Sequence, residues 1–290
     1  MTNPVHAAHY ADQAIQQTVE IVENVRLARD TYRLRFLAPE MARCILPGQF
    51  LMLRLAEVND PLIGRPLALY NTVLSTGGEP EGVDVVYLVK GKLTSRLWQM
   101  SRGQRVDVWG PLGNGFELGA DQHLIMVAGG IGQTPFLALA QEALGLKRFG
   151  APPREAPRVN RVTLCYGART ADYLAGVEDF QRLGIDVRLA TDDGSQGHRG
   201  FVTDSLRQVL AESRDQARIV CCGPEPMMEA VAHIAHKAQV PCEVSLETPM
   251  ACGVGICFTC VAKIRQTGGG WDYKRTCVEG PVFDAALVEW

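Results

Sequence analysis

The feature that most restricts this chain is a set of cysteines near its end, ACGVGICFTC over residues 251–260, followed by Cys277. The spacing is C-x4-C-x2-C-x16-C, through Cys252, Cys257, Cys260 and Cys277. Four thiolates are the ligand set of a [2Fe–2S] cluster, and the C-x4-C-x2-C run with a distant fourth cysteine is the plant-type ferredoxin spacing. Such a loop wraps closely around inorganic sulfide. Gly253 and Gly255 can take positive φ and turn backbone N–H groups toward sulfur without a side-chain clash. The competing readings are a four-cysteine zinc site and buried small hydrophobes. Zinc sites usually pair one short Cys-x-x-Cys knuckle with a second, whereas Cys277 stands alone.

The chain has nine cysteines, and in a reducing compartment they are not expected as disulfides. Cys44, Cys165, Cys221 and Cys242 read as small core hydrophobes. With 290 residues, 47% hydrophobic and 21% charged, the chain is long enough for two globular domains with sizeable cores. The charge balance of 29 basic against 32 acidic residues argues against nucleic acid or an anionic membrane as partner. No run approaches the length of a membrane span, and the N-terminus lacks a secretory pattern. The expected compartment is the cytoplasm, and residues 1–17 read as a polar, mobile tail.

Three rhythms follow. Residues 18–119 carry short alternating runs, TYRLRFLA, GQFLMLRLA and VDVVYLVKG, broken by Gly, Pro and Asn, which predict an antiparallel β-barrel interrupted by a short helix at TSRLWQM. Residues 120–242 switch to strand–loop–helix repeats, which predict a doubly wound parallel sheet. Residues 243–290 form a compact Cys- and Gly-rich module. The expected fold is therefore a β-barrel plus α/β domain with a small C-terminal cluster module.

Within the second segment, HLIMVA runs into GGIGQTP and then FLALAQEAL. Gly129, Gly130 and Gly132 let the backbone turn sharply and approach a pyrophosphate at a helix N-terminus. Thr134 can add a hydroxyl contact, and Pro135 suits a first helical turn. Asp192 and Asp193, after another strand end, either bond ribose or nicotinamide groups or form a polar turn. Cys222, with Gly223, sits at the C-terminal edge of a predicted strand, where open α/β sheets bind ligands. Arg169 either touches a 2′-phosphate or caps a helix, which leaves NAD against NADP open. His233 and His236 read as a helix face. In the barrel, Arg65 before Pro66 either clamps a pyrophosphate or is a solvated surface residue, and GPLGNGFEL is a turn.

Taken together, RPLALY, GPLGNGF, AGGIGQTPF, YGAR and CCGPEPMM resemble the ferredoxin–NADP reductase superfamily. SLETPMACGVGICFTC and KRTCVEGPVFDAALVEW narrow the resemblance to the electron-transfer subunits of NAD-dependent (class 1B) dihydroorotate dehydrogenases, over nearly the whole chain from Thr18. The resemblance implies that Arg65, Pro66, Leu67 and Ala68 line an FAD, with Tyr87, Leu88 and Val89 on the next strand and Leu93 and Thr94 at its phosphates. It implies a [2Fe–2S] cluster on Cys252, Cys257, Cys260 and Cys277, and NAD(H) as the diffusible substrate. The family usually has Ser or Thr at Ala68, Gly at Leu93, and a basic residue at Pro249.

The resemblance further implies an FMN-containing catalytic subunit as partner, in a heterotetramer of two copies of each chain. Electrons from dihydroorotate would reach NAD in pyrimidine (UMP) biosynthesis. Phe258 and Trp271 mark the expected docking face. No nucleophile–base pair is evident, so catalysis by side chains is not expected. The alternative within the same redox class is the small subunit of an NADH-dependent ferredoxin:NADP reductase, a sulfide dehydrogenase or a hydrogenase. A zinc-binding interaction module on an inactive reductase fold is the alternative outside that class.

Overall fold

The computed structural model describes residues 11–213 and 215–290. The first ten residues, which include most of the expected tail, lie outside the described part.

The alternating segment closes into a six-stranded barrel. Its strands are β1 (Ile15–Ala28), β2 (Thr31–Leu37), β3 (Phe50–Leu55), β4 (Arg65–Leu74), β5 (Pro80–Leu88) and β6 (Arg105–Leu112), in spatial order β1-β2-β5-β4-β3-β6. Two short helices, α1 (Pro39–Cys44) and α2 (Lys92–Leu97), fill gaps in the strand sequence. The barrel begins at Ile15 rather than at Thr18, because Ile15, Gln16 and Gln17 pair with Gly110, Trp109 and Val108 of β6. That ladder satisfies the backbone of a polar-looking stretch.

Alternation decides which side of each strand is buried. Leu51, Leu53 and Leu55 of β3 point into the barrel with Ile21, Phe36, Val85 and Val108. Phe50 and Met52 face outward and join a separate cluster with Leu112, Cys260 and Cys277.

The α/β segment supplies β7 (His123–Gly129), β8 (Arg161–Ala168), β9 (Asp186–Thr191), β10 (His198–Arg199), β11 (Ala217–Cys222) and β12 (Cys242–Ser245), with helices α3 (Phe136–Ala143), α4 (Val177–Gln181), α5 (Val202–Glu212) and α6 (Glu225–Ala238). The last segment adds a hairpin of β13 (Val261–Arg265) and β14 (Trp271–Arg275), then β15 (Val282–Asp284). The main sheet has order β10-β9-β8-β7-β11-β12-β15, with only β15 antiparallel to its neighbour. The C-terminal module is thus woven into the sheet at both ends: it leaves at β12 and returns through β15. Burial pushes the thiols of Cys165 and Cys242 up to about 12, so both behave as inert core residues. Cys44 is only half-buried.

Side chains stitch the barrel to the sheet. The Tyr70 hydroxyl donates to Asp179 Oδ2 at 2.7 Å, and Lys147 Nζ donates to Asn71 Oδ1 at 2.9 Å. Asn114 donates to the Val282 carbonyl at 2.8 Å while its own carbonyl accepts from Val282 N–H at 2.9 Å. The GPLGNGF turn is therefore a structural tie between β6 and β15. Among the described residues no helix is long and apolar enough to cross a membrane.

Candidate functional site

Strand order places the glycine turn where a ligand is expected. The chain leaves β7 for β8 on one side and returns to β11 on the other, so the C-terminal end of β7 is the switch point of the sheet. There Gly129, Gly130 and Ile131 line a cavity of about 600 Å3, with Gly167 and Ala168 at the end of β8 and Arg169 just beyond it, Asp192 after β9, and Pro224 and Met227 after β11. Leu88 and Thr31 of the barrel complete its wall.

The glycines serve different ends. A Cβ at Gly132 would collide with the Cys222 carbonyl and the Gly223 nitrogen, both backbone, whereas Gly130, at φ +55°, faces open space. Gly132 thus packs the turn against β11, and Gly129 and Gly130 present backbone to the cavity.

Other sequence candidates fall on either side of that wall. Asp192 lines the cavity. Asp193 is drawn into the turn: its Oδ1 accepts from the Ser195 N–H at 3.0 Å and the Ser195 hydroxyl at 2.6 Å. Those bonds hold the Asp193 carboxyl below its ordinary range. Cys222 is buried at the end of β11 with its thiol pushed up by burial. Thr134 is buried, as is Gln133, whose amide nitrogen and oxygen both lack a partner among the described residues. His233 and His236 are exposed on α6, and His233 Nδ1 lies 3.0 Å from the Glu229 carbonyl. Arg169, Tyr173, Phe201 and Met227 also line the cavity. Of these only Arg169 was singled out by sequence, because lining residues from separate loops carry no shared local pattern.

The barrel candidates divide by face. Leu67, Tyr87, Val89 and Leu93 pack into or against the barrel core, with Tyr87 and Leu93 buried and Leu67 and Val89 half-buried. The Tyr87 hydroxyl donates to Asn24 Oδ1 at 3.0 Å, and burial raises its pKa. Arg65 is exposed, its guanidinium donating to the carbonyls of Ile63 and Gly64 at 3.0 and 2.9 Å. Pro66 and Ala68 stand opposite Met52 and Phe50 on the outer side of the barrel. Thr94 accepts from Lys90 N–H at 2.8 Å, which folds the chain into α2, and Leu88 reaches the cavity.

The cysteine loop sits on the outward side of β3. The Trp109 indole donates to the Cys252 carbonyl at 2.9 Å. A Cβ at Gly253 would come within 2.6 Å of Met52 and 2.9 Å of Leu112, so glycine lets the loop lie flat on the barrel. Gly253 and Gly255 have φ of +75° and +82°, the conformation expected of them. Cys260 and Cys277 are buried with sulfurs 3.2 Å apart. Cys257 is exposed, its sulfur 3.1 Å from the Thr259 hydroxyl. The Val254 N–H donates to Cys252 Sγ at 3.4 Å. The hydrogen bond between the two sulfurs lowers the Cys260 thiol from its ordinary range and raises that of Cys277.

Among the described residues no three His, Cys, Asp or Glu side chains converge as they would on a single ion. A two-iron cluster is broader than one ion and takes its four thiolates from around its rim. A paired Cys260–Cys277, a backbone N–H aimed at sulfur and two positive-φ glycines suit that broader group.

Three segments of the chain match known domain families in the order of the fold. Residues 18–116 match an oxidoreductase FAD-binding domain, 126–233 an oxidoreductase NAD-binding domain, and 247–289 the iron–sulfur cluster binding domain of dihydroorotate dehydrogenase B. The class is an oxidoreductase subunit that joins flavin, nicotinamide and iron–sulfur domains in one chain. An electron transfer subunit of dihydroorotate dehydrogenase B (NAD(+)) from Desulforamulus reducens is 38% identical, covering 91% of this chain and 94% of the relative. Another from Shouchella clausii is 36% identical over 94% of this chain and 98% of the relative. The chain belongs to this family of electron transfer subunits. Among solved structures, a chain of an NADH-dependent reduced ferredoxin–NADP oxidoreductase superposes with TM-score 0.77 at 31% identity, covering 94% of this chain and 90% of that one.

Proposed function

We propose that this chain carries electrons between a dihydroorotate-oxidising catalytic subunit and NAD, within a pyrimidine-forming enzyme. The observation that carries the reading is the seat of the cysteine loop. Phe50 and Met52 of β3 touch the cysteine module, and directly across the ladder stand Ala68 and Pro66 of β4. Adjacent strands lie about 4.8 Å apart, so a group on the cysteines and a group on the outer side of β4 would be close neighbours.

The residues suit the groups assigned to them. Arg65 offers a guanidinium for a flavin pyrophosphate, Pro66 and Ala68 a flat outer surface, and Leu88 a contact shared with the nucleotide cavity. The side chains of Leu67, Tyr87, Val89 and Leu93 hold that strand edge rigid from inside the barrel. Gly129 and Gly130 would receive the NAD pyrophosphate, and Cys252, Cys257, Cys260 and Cys277 would hold the cluster. Nicotinamide exchanges hydride, the cluster exchanges single electrons, and FAD exchanges both. The chain's own part is placement and exclusion of water.

The expected partner is an FMN-containing catalytic subunit in a heterotetramer of two of each chain, in the cytoplasm. It would dock at Ile256 and Phe258, which are 71% and 61% exposed beside Cys257. The likeness to the reduced ferredoxin–NADP oxidoreductase chain supports a second reading, service to a different catalytic subunit.

Anaerobic purification with the neighbouring catalytic gene tests both. Flavin absorption near about 450 nm with about two irons and two sulfides per chain, and co-elution with a dihydroorotate-oxidising subunit, are expected. A colourless chain with one zinc would refute the redox reading. A coloured chain that ignores that subunit would favour the second.

A further inference from the structure

One side chain touches both the cysteine loop and the start of the strand assigned to the flavin. Trp109 stands on β6, opposite Met52 of β3. Its indole N–H donates to the Cys252 carbonyl at 2.9 Å. The far edge of the same ring packs on Gly64, where a Cβ would come within 2.7 Å of Trp109 Cη2 and 2.9 Å of the Leu53 carbonyl oxygen. Gly64 immediately precedes Arg65, whose guanidinium donates to the Gly64 carbonyl at 2.9 Å. Because β3 lies between β6 and β4, the indole crosses the outer side of β3 and joins Cys252 to the Gly64–Arg65 corner.

A backbone irregularity aims the ring. Leu112 pairs with Phe50 and Trp109 with Met52, so β6 sets Gly110 and Pro111 against the single residue Leu51. A bulge of this kind re-aims side chains. Residues three apart on a regular strand face opposite sides, yet Trp109 and Leu112 both join the outward cluster of Phe50, Met52, Cys260 and Cys277. Met52 and Leu112 form the floor beneath Gly253, while Trp109 grips the loop at Cys252. One peptide beyond the gripped carbonyl, the Val254 N–H donates to Cys252 Sγ at 3.4 Å. Groups that orient a metal's ligands, and hydrogen bonds to cluster sulfurs, tune the centre they surround.

We propose that Trp109 is a positioning residue for electron transfer: it fixes the Cys252 end of the cysteine loop against the Gly64–Arg65 corner and so sets how the cluster sits relative to the flavin. Gly64 is its counterpart, since any side chain there would displace the ring. The inference rests on the cofactor reading of the two sites.

The test compares the full chain, purified anaerobically with its cofactors, with Trp109→Phe, which keeps a ring and removes the N–H. Stopped-flow absorbance after mixing with NADH reads two events: entry of a hydride's two electrons into the flavin, and passage of one of them to the cluster. The first rate should be unchanged and the second about tenfold slower, the order of effect of substituting a residue that orients a metal ligand. The EPR g values of the reduced cluster should shift while iron stays at about two per chain. Trp109→Leu, with neither ring nor donor, should slow the second event at least as much. Unchanged g values and rates in both variants overturn the proposal. Loss of iron from Trp109→Phe also overturns it, because the ring would then hold the cluster rather than place it. A wild type that carries no flavin or no cluster overturns the cofactor reading and the proposal with it.

Discussion

Two glycine-bearing loops follow strands of the same sheet, and they meet opposite fates. The turn after β7 is sealed: Gly132, Gln133 and Thr134 are buried against β11. The loop after β12 is flattened onto the barrel on one side and open on the other, with Ile256, Cys257 and Phe258 exposed. A small molecule needs a formed, water-poor cradle. A partner protein needs an accessible apolar patch with a redox group just beneath it. The same residue type serves both because glycine lets backbone approach backbone, at Gly132, or a side-chain wall, at Gly253.

The sharpest way to break the contrast is to remove a thiol. Cys277→Ser should reduce bound iron from about two per chain to near zero and abolish electron transfer, while nucleotide binding at the β7 turn persists, as iron analysis and calorimetry would read. Loss of both functions together would mean that the two loops are not independent.

Next in size is the sealed turn. Gly132→Ala should cost about 2–3 kcal/mol in urea unfolding, because the obstructing atoms are backbone and nothing flexible can yield, and it should weaken NAD binding at least about tenfold. Gly130→Ala meets no neighbour and should cost only about 1 kcal/mol, for its positive φ. Equal costs would mean that packing against Cys222 is not what fixes glycine there.

On the open loop, Phe258 is a bulky exposed residue held at φ +55°, a conformation that costs about 1–2 kcal/mol, with the Arg275 guanidinium 5.0 Å from its ring. Phe258→Gly should leave stability unchanged or raise it by up to about 1 kcal/mol, yet weaken association with the catalytic subunit about tenfold or more. Intact association with a stabilised chain would remove Phe258 from the docking face.

The smallest effect lies at the seam both loops depend on. Burial depresses Lys147 from its ordinary 10.5 to about 8. Between those values the unfolded chain binds the proton more readily than the folded one, so stability should rise with pH across that window and be flat below it. Relative to Lys147→Met, the wild type should gain about 1–2 kcal/mol from pH 8 to 10.5, measured by denaturant unfolding. A flat difference would show that Lys147 is not buried as a cation.

What could be read along the chain was local chemistry. The cysteine spacing, the strand–Gly–helix run at Gly129, and the change of rhythm from barrel to parallel sheet are each contained within a few dozen residues. They named the class of protein and its groups. The candidates that split did so for long-range reasons. Leu67 and Pro66 are neighbours in sequence, and only closure of the barrel decides that one points in and the other out. Asp192 and Asp193 look equivalent until Ser195 captures one of them. Asn114 looks like a turn residue until β15, far along the chain, arrives to pair with it.

The sequence by itself therefore determined which cofactors this chain is built around, because ligand type and spacing are properties of short segments. Tertiary structure alone decided that the cysteine loop lies on the outer side of β3, across one strand from Pro66 and Ala68, and that an acid and an arginine line one cavity beside the β7 turn. Proximity between segments far apart in the chain is set by packing and by strand order, neither of which leaves a mark on any single stretch of residues.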